Sequence, residues 1–329
     1  MSENKSALKN KLKRRKFYSS CILYIIVHIS SFLSPTFSIA QIIENKLSNV
    51  NITESPFNAA FVKNNNIKSV SISLCSKPDN EMINDKGLVK NYEFDTLGNI
   101  SGFYYTQIRS VRKNEVPHKF NYDTVYTNFY YNSLHQLILK RTHEGDSYNS
   151  WYYEYDSAGN VNKQKNFRET SVGESQDFKM GVQTLISLES FSYIVLSDLQ
   201  IKKKCMNDED RVYKEAIINY DEKKRKKDEN YEFTVSWVRI GNSFKYDDWG
   251  RLIEKTYSSN ASSDLLENSI YEYDSNGNLL LEKKLRNNQK TNEITYLYDE
   301  NTKFLKSQLN RDFINNAIGI AKYSYEFWK

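Results

Sequence analysis

Tyr271-Glu272-Tyr273-Asp274-Ser275-Asn276-Gly277-Asn278-Leu279 is the stretch whose reading decides the fold. Two aromatics two residues apart put both rings on one face of a strand, with Glu272 facing the other way. Asp274 ends that strand, because its short side chain can accept from backbone amides further on and hold an Asx-type turn. Gly277 supplies the positive φ that a tight hairpin requires. Leu279 then starts the return strand and restores the apolar face. The nine residues are a complete β-hairpin corner.

The same pattern recurs outward from this copy. It is found at Tyr92 to Ile100, Phe129 to Leu137, Tyr153 to Val161, Phe244 to Leu252 and Tyr296 to Phe304, with a weaker seventh at Ile218 to Asp221. The turn acids include Asp95, Asp156, Asp247 and Asp274, and Gly98, Gly159, Gly250 and Gly277 fill the glycine slot. His135 and Thr302 stand in that slot in two copies, where a side chain is costly at positive φ; these two turns are expected to differ in geometry. Spacing of roughly 25 residues between successive turns is typical of repeat architectures.

These segments resemble YD repeats, the Tyr-Asp repeats of Rhs and teneurin-like proteins, whose pattern is Tyr-x-Tyr-Asp-x-x-Gly-Arg/Asn-Leu. The resemblance implies a β-sheet shell of the kind that can enclose another polypeptide. The chain lacks the Asp-Pro cleavage segment and toxin domain of the large members, which implies a small stand-alone member. The fold expected is all-β: tandem antiparallel hairpins forming an extended curved or spiralling sheet, too short to close a large shell. Lys68 to Cys75 would cap one end and Tyr323 to Trp328 the other. Residues 41–66 read as a flexible leader, and residues 67–329 as the repeat domain. The signature is absent over about 164–210, which is either a decayed repeat or an inserted loop, with Leu185 to Leu196 apolar enough for one or two buried strands.

Ahead of the repeats, residues 1–40 carry a basic segment ending at Lys16, an apolar run from Phe17 to Leu33, and the small-residue stretch Ser38-Ile39-Ala40. This is the order of a secretory signal peptide, with cleavage expected between Ala40 and Gln41; a retained anchor is the competing reading. Removing it takes away seven basic groups and one acid, so the net charge of +5 becomes a near-neutral body with 39 basic and 40 acidic residues. General attraction to nucleic acid loses its support, and no membrane span remains after cleavage. The protein is expected to be secreted, in the periplasm, at the cell surface or outside the cell. Cys75 and Cys205 are then the remaining cysteines, and whether they pair is open.

Chemistry-bearing patterns are sparse. An acid that recurs at every turn has a turn-forming role, whereas a catalytic carboxylate pair is a singular feature. His118, His135 and His143 lack zinc spacing, and nothing calls for a metal or other cofactor. Lys223 to Lys227 is flanked by Asp221-Glu222 and Asp228-Glu229 and reads as a solvated hairpin loop. Trp249 stands inside a turn, where a core role is least expected, and is the candidate ligand contact. The leading function is a non-enzymatic scaffold binding carbohydrate or a cell-surface protein; the alternative is a glycan hydrolase with a site in the irregular 164–210 region. An outer-membrane barrel is disfavoured by charged segments such as Glu282-Lys283-Lys284.

Overall fold

The computed structural model describes residues 42–43, 55–108, 122–144, 147–172, 178–261 and 265–329. The signal reading of residues 1–40, and His118, lie outside the described residues. A six-residue helix, α1 (Ala59–Asn64), precedes the strands. The first nine are β1 (Ile67–Pro78), β2 (Asn84–Phe94), β3 (Ile100–Ile108), β4 (Tyr122–Tyr131), β5 (Leu137–Glu144), β6 (Ser147–Tyr155), β7 (Val161–Ser171), β8 (Met180–Ser197) and β9 (Gln200–Met206). The second nine are β10 (Val212–Tyr220), β11 (Lys226–Phe233), β12 (Arg239–Tyr246), β13 (Leu252–Ser259), β14 (Leu265–Tyr273), β15 (Leu279–Arg286), β16 (Gln289–Tyr298), β17 (Leu305–Asp312) and β18 (Ala317–Phe327).

Each strand pairs antiparallel with its sequence neighbours, and β18 pairs back onto β1 over eleven positions, from Ile67 with Phe327 to Pro78 with Ala317. The sheet is therefore a closed, 18-stranded up-and-down ring. This corrects the expectation of an open sheet with its two terminal strands at opposite ends. Those strands leave bare edges unless they find a partner, and here each is the partner of the other. Followed around the ring, the register advances by about 20 residues before it returns to β1, which with ordinary strand spacings corresponds to a tilt of roughly 37° and a radius of about 17 Å.

The motif turns work as the sequence suggests. Asp274 Oδ1 accepts from the amides of Asn276 and Asn278 at 2.9 and 2.7 Å, and Asp274 Oδ2 accepts from the Asn278 side chain at 2.9 Å. Gly277 lies at φ +90° and its N–H donates to the Asp274 carbonyl. The residue after the glycine slot is thus a clamp on the acid: Asn99 and Asn160 donate to their turn aspartates, and Arg225 and Arg251 do so through Nε at 2.7 and 2.6 Å. Where the acid is replaced by Asn132, the direction reverses and Asn132 Nδ2 donates to Gln136 Oε1 at 2.9 Å. His135 takes φ +60° and keeps the same turn, contrary to expectation. At Thr302 the turn lengthens instead, and Lys303 takes the positive φ.

The second aromatic of the motif has a role of its own. Tyr131, Tyr155, Tyr193, Tyr246, Tyr273, Tyr298 and Tyr325 each donate their hydroxyl, at 2.7 to 3.0 Å, to the carbonyl of the residue that opened the return strand of the preceding motif hairpin. These bonds tie consecutive hairpins together and satisfy a buried polar atom that Phe could not. Burial raises the pKa of the Tyr131, Tyr155, Tyr193, Tyr246, Tyr298 and Tyr325 hydroxyls, that of Tyr246 to about 12. Tyr193 belongs to the irregular segment, whose described residues include strands β7 to β9.

The rings and the return-strand aliphatics share one face. Leu279 and Leu305 are fully buried there, and Tyr92, Tyr153, Tyr271 and Tyr296 are nearly so. In a closed ring such burial belongs to the inner face, where side chains cover one another. The outer face carries part-exposed cross-strand ion pairs: Lys165 with Glu154, Lys202 with Glu215, Lys245 with Glu254 and Lys283 with Glu272.

Residues 55–66 depart from the loose leader expected of them. Asn58 caps α1 by accepting from the amides of Ala60 and Phe61, and Phe57 packs edge-on against Tyr92 and Phe94 at 5.0 and 5.6 Å. Phe61 meets Phe304 at 5.8 Å. A Cβ on Gly98 would stand 2.1 Å from the Ala59 carbonyl oxygen; glycine is needed there for close approach as well as for its φ of +83°. This segment fills the inner face beside the first motif turn, in a ring wider than wall side chains alone would fill.

Candidate binding groove

A groove of about 830 Å³ lies on the outer face of β9 to β14. One row of its lining follows from the register: Lys202, Ile217, Asn230, Gly241, Ser258 and Leu266 stand side by side on consecutive strands. A Cβ at Gly241 would meet Ser258 Oγ at 2.8 Å and Asn230 Oδ1 at 3.0 Å, so glycine clears the centre of the row. Glu215 and Glu232 are directly paired on β10 and β11, each with a cation: Lys202 Nζ at 2.7 Å from Glu215 and Arg239 Nη2 at 3.0 Å from Glu232.

The backbone of Trp237 is tied to the edge of the groove, although its ring is not among the lining residues. Trp237 lies in the loop between β11 and β12 and is 89% exposed. Asn260, itself a lining residue, fixes the loop backbone: its Nδ2 donates to the Trp237 carbonyl at 2.8 Å, and its Oδ1 accepts from the Arg239 amide at 2.7 Å. A flat aromatic beside a trough of amides, hydroxyls and ion-paired carboxylates presents one apolar face and many directional donors and acceptors. That combination suits a polyhydroxylated ring.

Trp249, the candidate named from sequence, lies elsewhere. It is 72% exposed on the β12–β13 motif turn, and the Arg251 guanidinium covers its ring at 4.4 Å, itself shared with Tyr273 at 4.6 Å. The turn residues Asp95, Gly98, Asp156, Gly159, Asp247, Gly250, Asp274 and Gly277 all stand at motif corners and none lines the groove. Nothing in the local pattern marked Trp237; the available signal was a lone Trp between two strand-like runs.

Other charged groups behave differently from their sequence reading. Lys226 occupies the slot that Leu, Ile or Val fills in other repeats, and it is buried and ion-paired with buried Glu229 at 3.0 Å; the basic run is a motif turn with one lysine turned inward, not wholly a solvated loop. Within 164–210, Glu169 is fully buried and accepts from Ser150, Tyr152, Gln183 and Arg141 at 2.6, 2.7, 2.8 and 3.0 Å. Burial alone would raise its pKa, but these donors outweigh it and hold the carboxyl below its ordinary value. With its lone pairs occupied, it is a structural anion, not a catalytic one. Cys75 and Cys205 are both buried and free, on β1 and β9. Among the described residues no group of His, Cys, Asp and Glu is placed to hold a metal, and no helix is long and apolar enough to cross a membrane.

No family model matches this chain, and no curated protein matches it. Among solved structures it is similar to a porin-like protein from Bacteroides uniformis, at 8% identity and a TM-score of 0.38, covering 79% of this chain and 98% of that one. A porin-like protein from Bacteroides vulgatus matches at 10% identity and a TM-score of 0.29, over 64% of this chain and 95% of the other. The complex TcdB2-TccC3 matches at 14% identity and a TM-score of 0.25, over 69% of this chain and 15% of that one. Likeness this weak leaves the closed ring resting on its own strand pairings.

Proposed function

We propose that the protein is a secreted or cell-envelope YD-repeat barrel, non-enzymatic, that binds a carbohydrate chain in the groove across β9 to β14, with Trp237 as the stacking platform. The observation that carries the reading is an almost fully exposed Trp237 anchored through Asn260 to a polar trough cleared at its centre by Gly241. The outer-face ion pairs favour a barrel that stands in water, since charged pairs on a lipid-facing wall are costly.

The test is a glycan array followed by titration of the best sugar. Trp237→Ala should weaken binding about tenfold, the order of 1.4 kcal/mol for one lost stacking contact, while Trp249→Ala leaves it unchanged. Saturable binding to no sugar, or equal binding by the Trp237 variant, overturns the reading. Release of reducing ends from the bound glycan would overturn its non-enzymatic part and turn attention to Glu215 and Glu232.

A further inference from the structure

A second cleft, separate from the groove, opens among β6, β7 and β8. Its volume is about 370 Å³, and Ser147, Asn149, Asn166, Arg168 and Ile186 line it. Asn149 lies directly opposite Arg168. The β7–β8 ladder slips between Asn166 and Phe167, which leaves Ile186 as an extra residue on β8, 57% exposed; such a bulge bends its strand away and makes room.

Two groups in this cleft lack a protein partner among the described residues. Arg168 is exposed and has no ion pair among the described residues; the neighbouring anion Glu169 points to the other face, where Arg141 holds it. Asn166 is only 8% exposed, and its Oδ1 is buried without a hydrogen-bond donor. A buried acceptor left unpaired is costly, so a ligand that donates to it recovers that loss on binding. The planar guanidinium beside it matches a carboxylate in two parallel hydrogen bonds.

We propose that this cleft binds a small carboxylate carrying a hydroxyl or amide N–H close by: Arg168 grips the carboxylate, and Asn166 Oδ1 accepts from the neighbouring donor. A uronic acid and an N-acylated amino acid both have this chemistry. The site is independent of the Trp237 groove.

The experiment is calorimetric titration of the purified protein with D-glucuronate, D-glucose and N-acetylglycine. The expected result is binding of at least one acid and none of glucose at this site, at least tenfold weaker in Arg168→Gln and unaffected by Trp237→Ala. Binding by glucuronate alone assigns the sugar acid, and binding by N-acetylglycine alone assigns the acylamino acid. Glucose binding that persists in Trp237→Ala, no binding by either acid at 10-millimolar order, or full affinity in Arg168→Gln overturns the proposal. The glucuronate–glucose comparison does not depend on the Arg168 variant folding.

Discussion

Arg141→Met should destabilise the barrel by about 3 kcal/mol, the low end of the 3–5 kcal/mol associated with stripping one partner from a buried ion pair. The low end applies because Glu169, fully buried, keeps Ser150, Tyr152 and Gln183 as donors when the guanidinium is removed. Met keeps the length of the stem but loses the guanidinium, whose carbon lies 3.8 Å from the centre of the Phe178 ring, so the loss is of charge together with that ring contact. For a chain of this size, with an unfolding entropy of about 0.6–0.7 kcal/mol/K, the thermal midpoint should fall by about 4–5 °C at pH 7. Thermal unfolding followed by circular dichroism measures it, with Arg141→Met/Glu169→Leu alongside. The double variant should recover part of the loss, because no uncompensated buried carboxylate remains. A single variant within about 2 °C of the parent at pH 7, or a double variant less stable than the single, would refute the claim that Glu169 needs its cation.

Gly98→Ala should cost clearly more than Gly277→Ala: both residues are at positive φ, a penalty of about 1–2 kcal/mol, but only at Gly98 does the new Cβ run into backbone, 2.1 Å from the Ala59 oxygen against 4.0 Å to an Arg251 side-chain tip at Gly277. Equal losses in thermal midpoint would show that the α1 segment does not pack on that turn. His135→Gly should stabilise by about 0.5–1 kcal/mol, since it relieves a side chain held at φ +60°; a lower midpoint would count against strain there. Acid should weaken the fold through its turns. The pKa of Asp156 is lowered chiefly by the Asn160 amide, that of Asp221 by the Arg225 side chain, that of Asp299 by the Thr302 amide and that of Asp312 by the Asn315 amide. Because the folded values lie below the unfolded value of about 3.9, their stabilisation is complete above that pH and is lost as pH falls below it. A denaturation midpoint unchanged between pH 6 and pH 3 would contradict this.

The hairpin corners were legible in the sequence because everything they need is local. Tyr273, Asp274, Gly277 and Leu279 interact within a few residues of one another, and ring alternation sets which face they share. The clamp by Asn278 or Arg251 on the turn acid was present in the Arg/Asn position of the repeat, though its purpose emerged only from the bonds. Closure was not legible, because β1 and β18 stand some 250 residues apart and either would pair with any free edge; only the accumulated stagger of the whole ring brings Val70 to Tyr325. The same distance hid the groove, whose row from Lys202 to Leu266 is set by register across six strands and has no signature along any one of them. Lys226 makes the division clear. In sequence it belongs to a charged run that water would cover, but its slot two residues past the turn points inward, and burial of the neighbouring strands makes it the partner of Glu229. Sequence determined the corners and the alternation, which are near-neighbour geometry. Tertiary structure decided the ring, the packing on its inner face and the groove, which depend on how distant strands come into register.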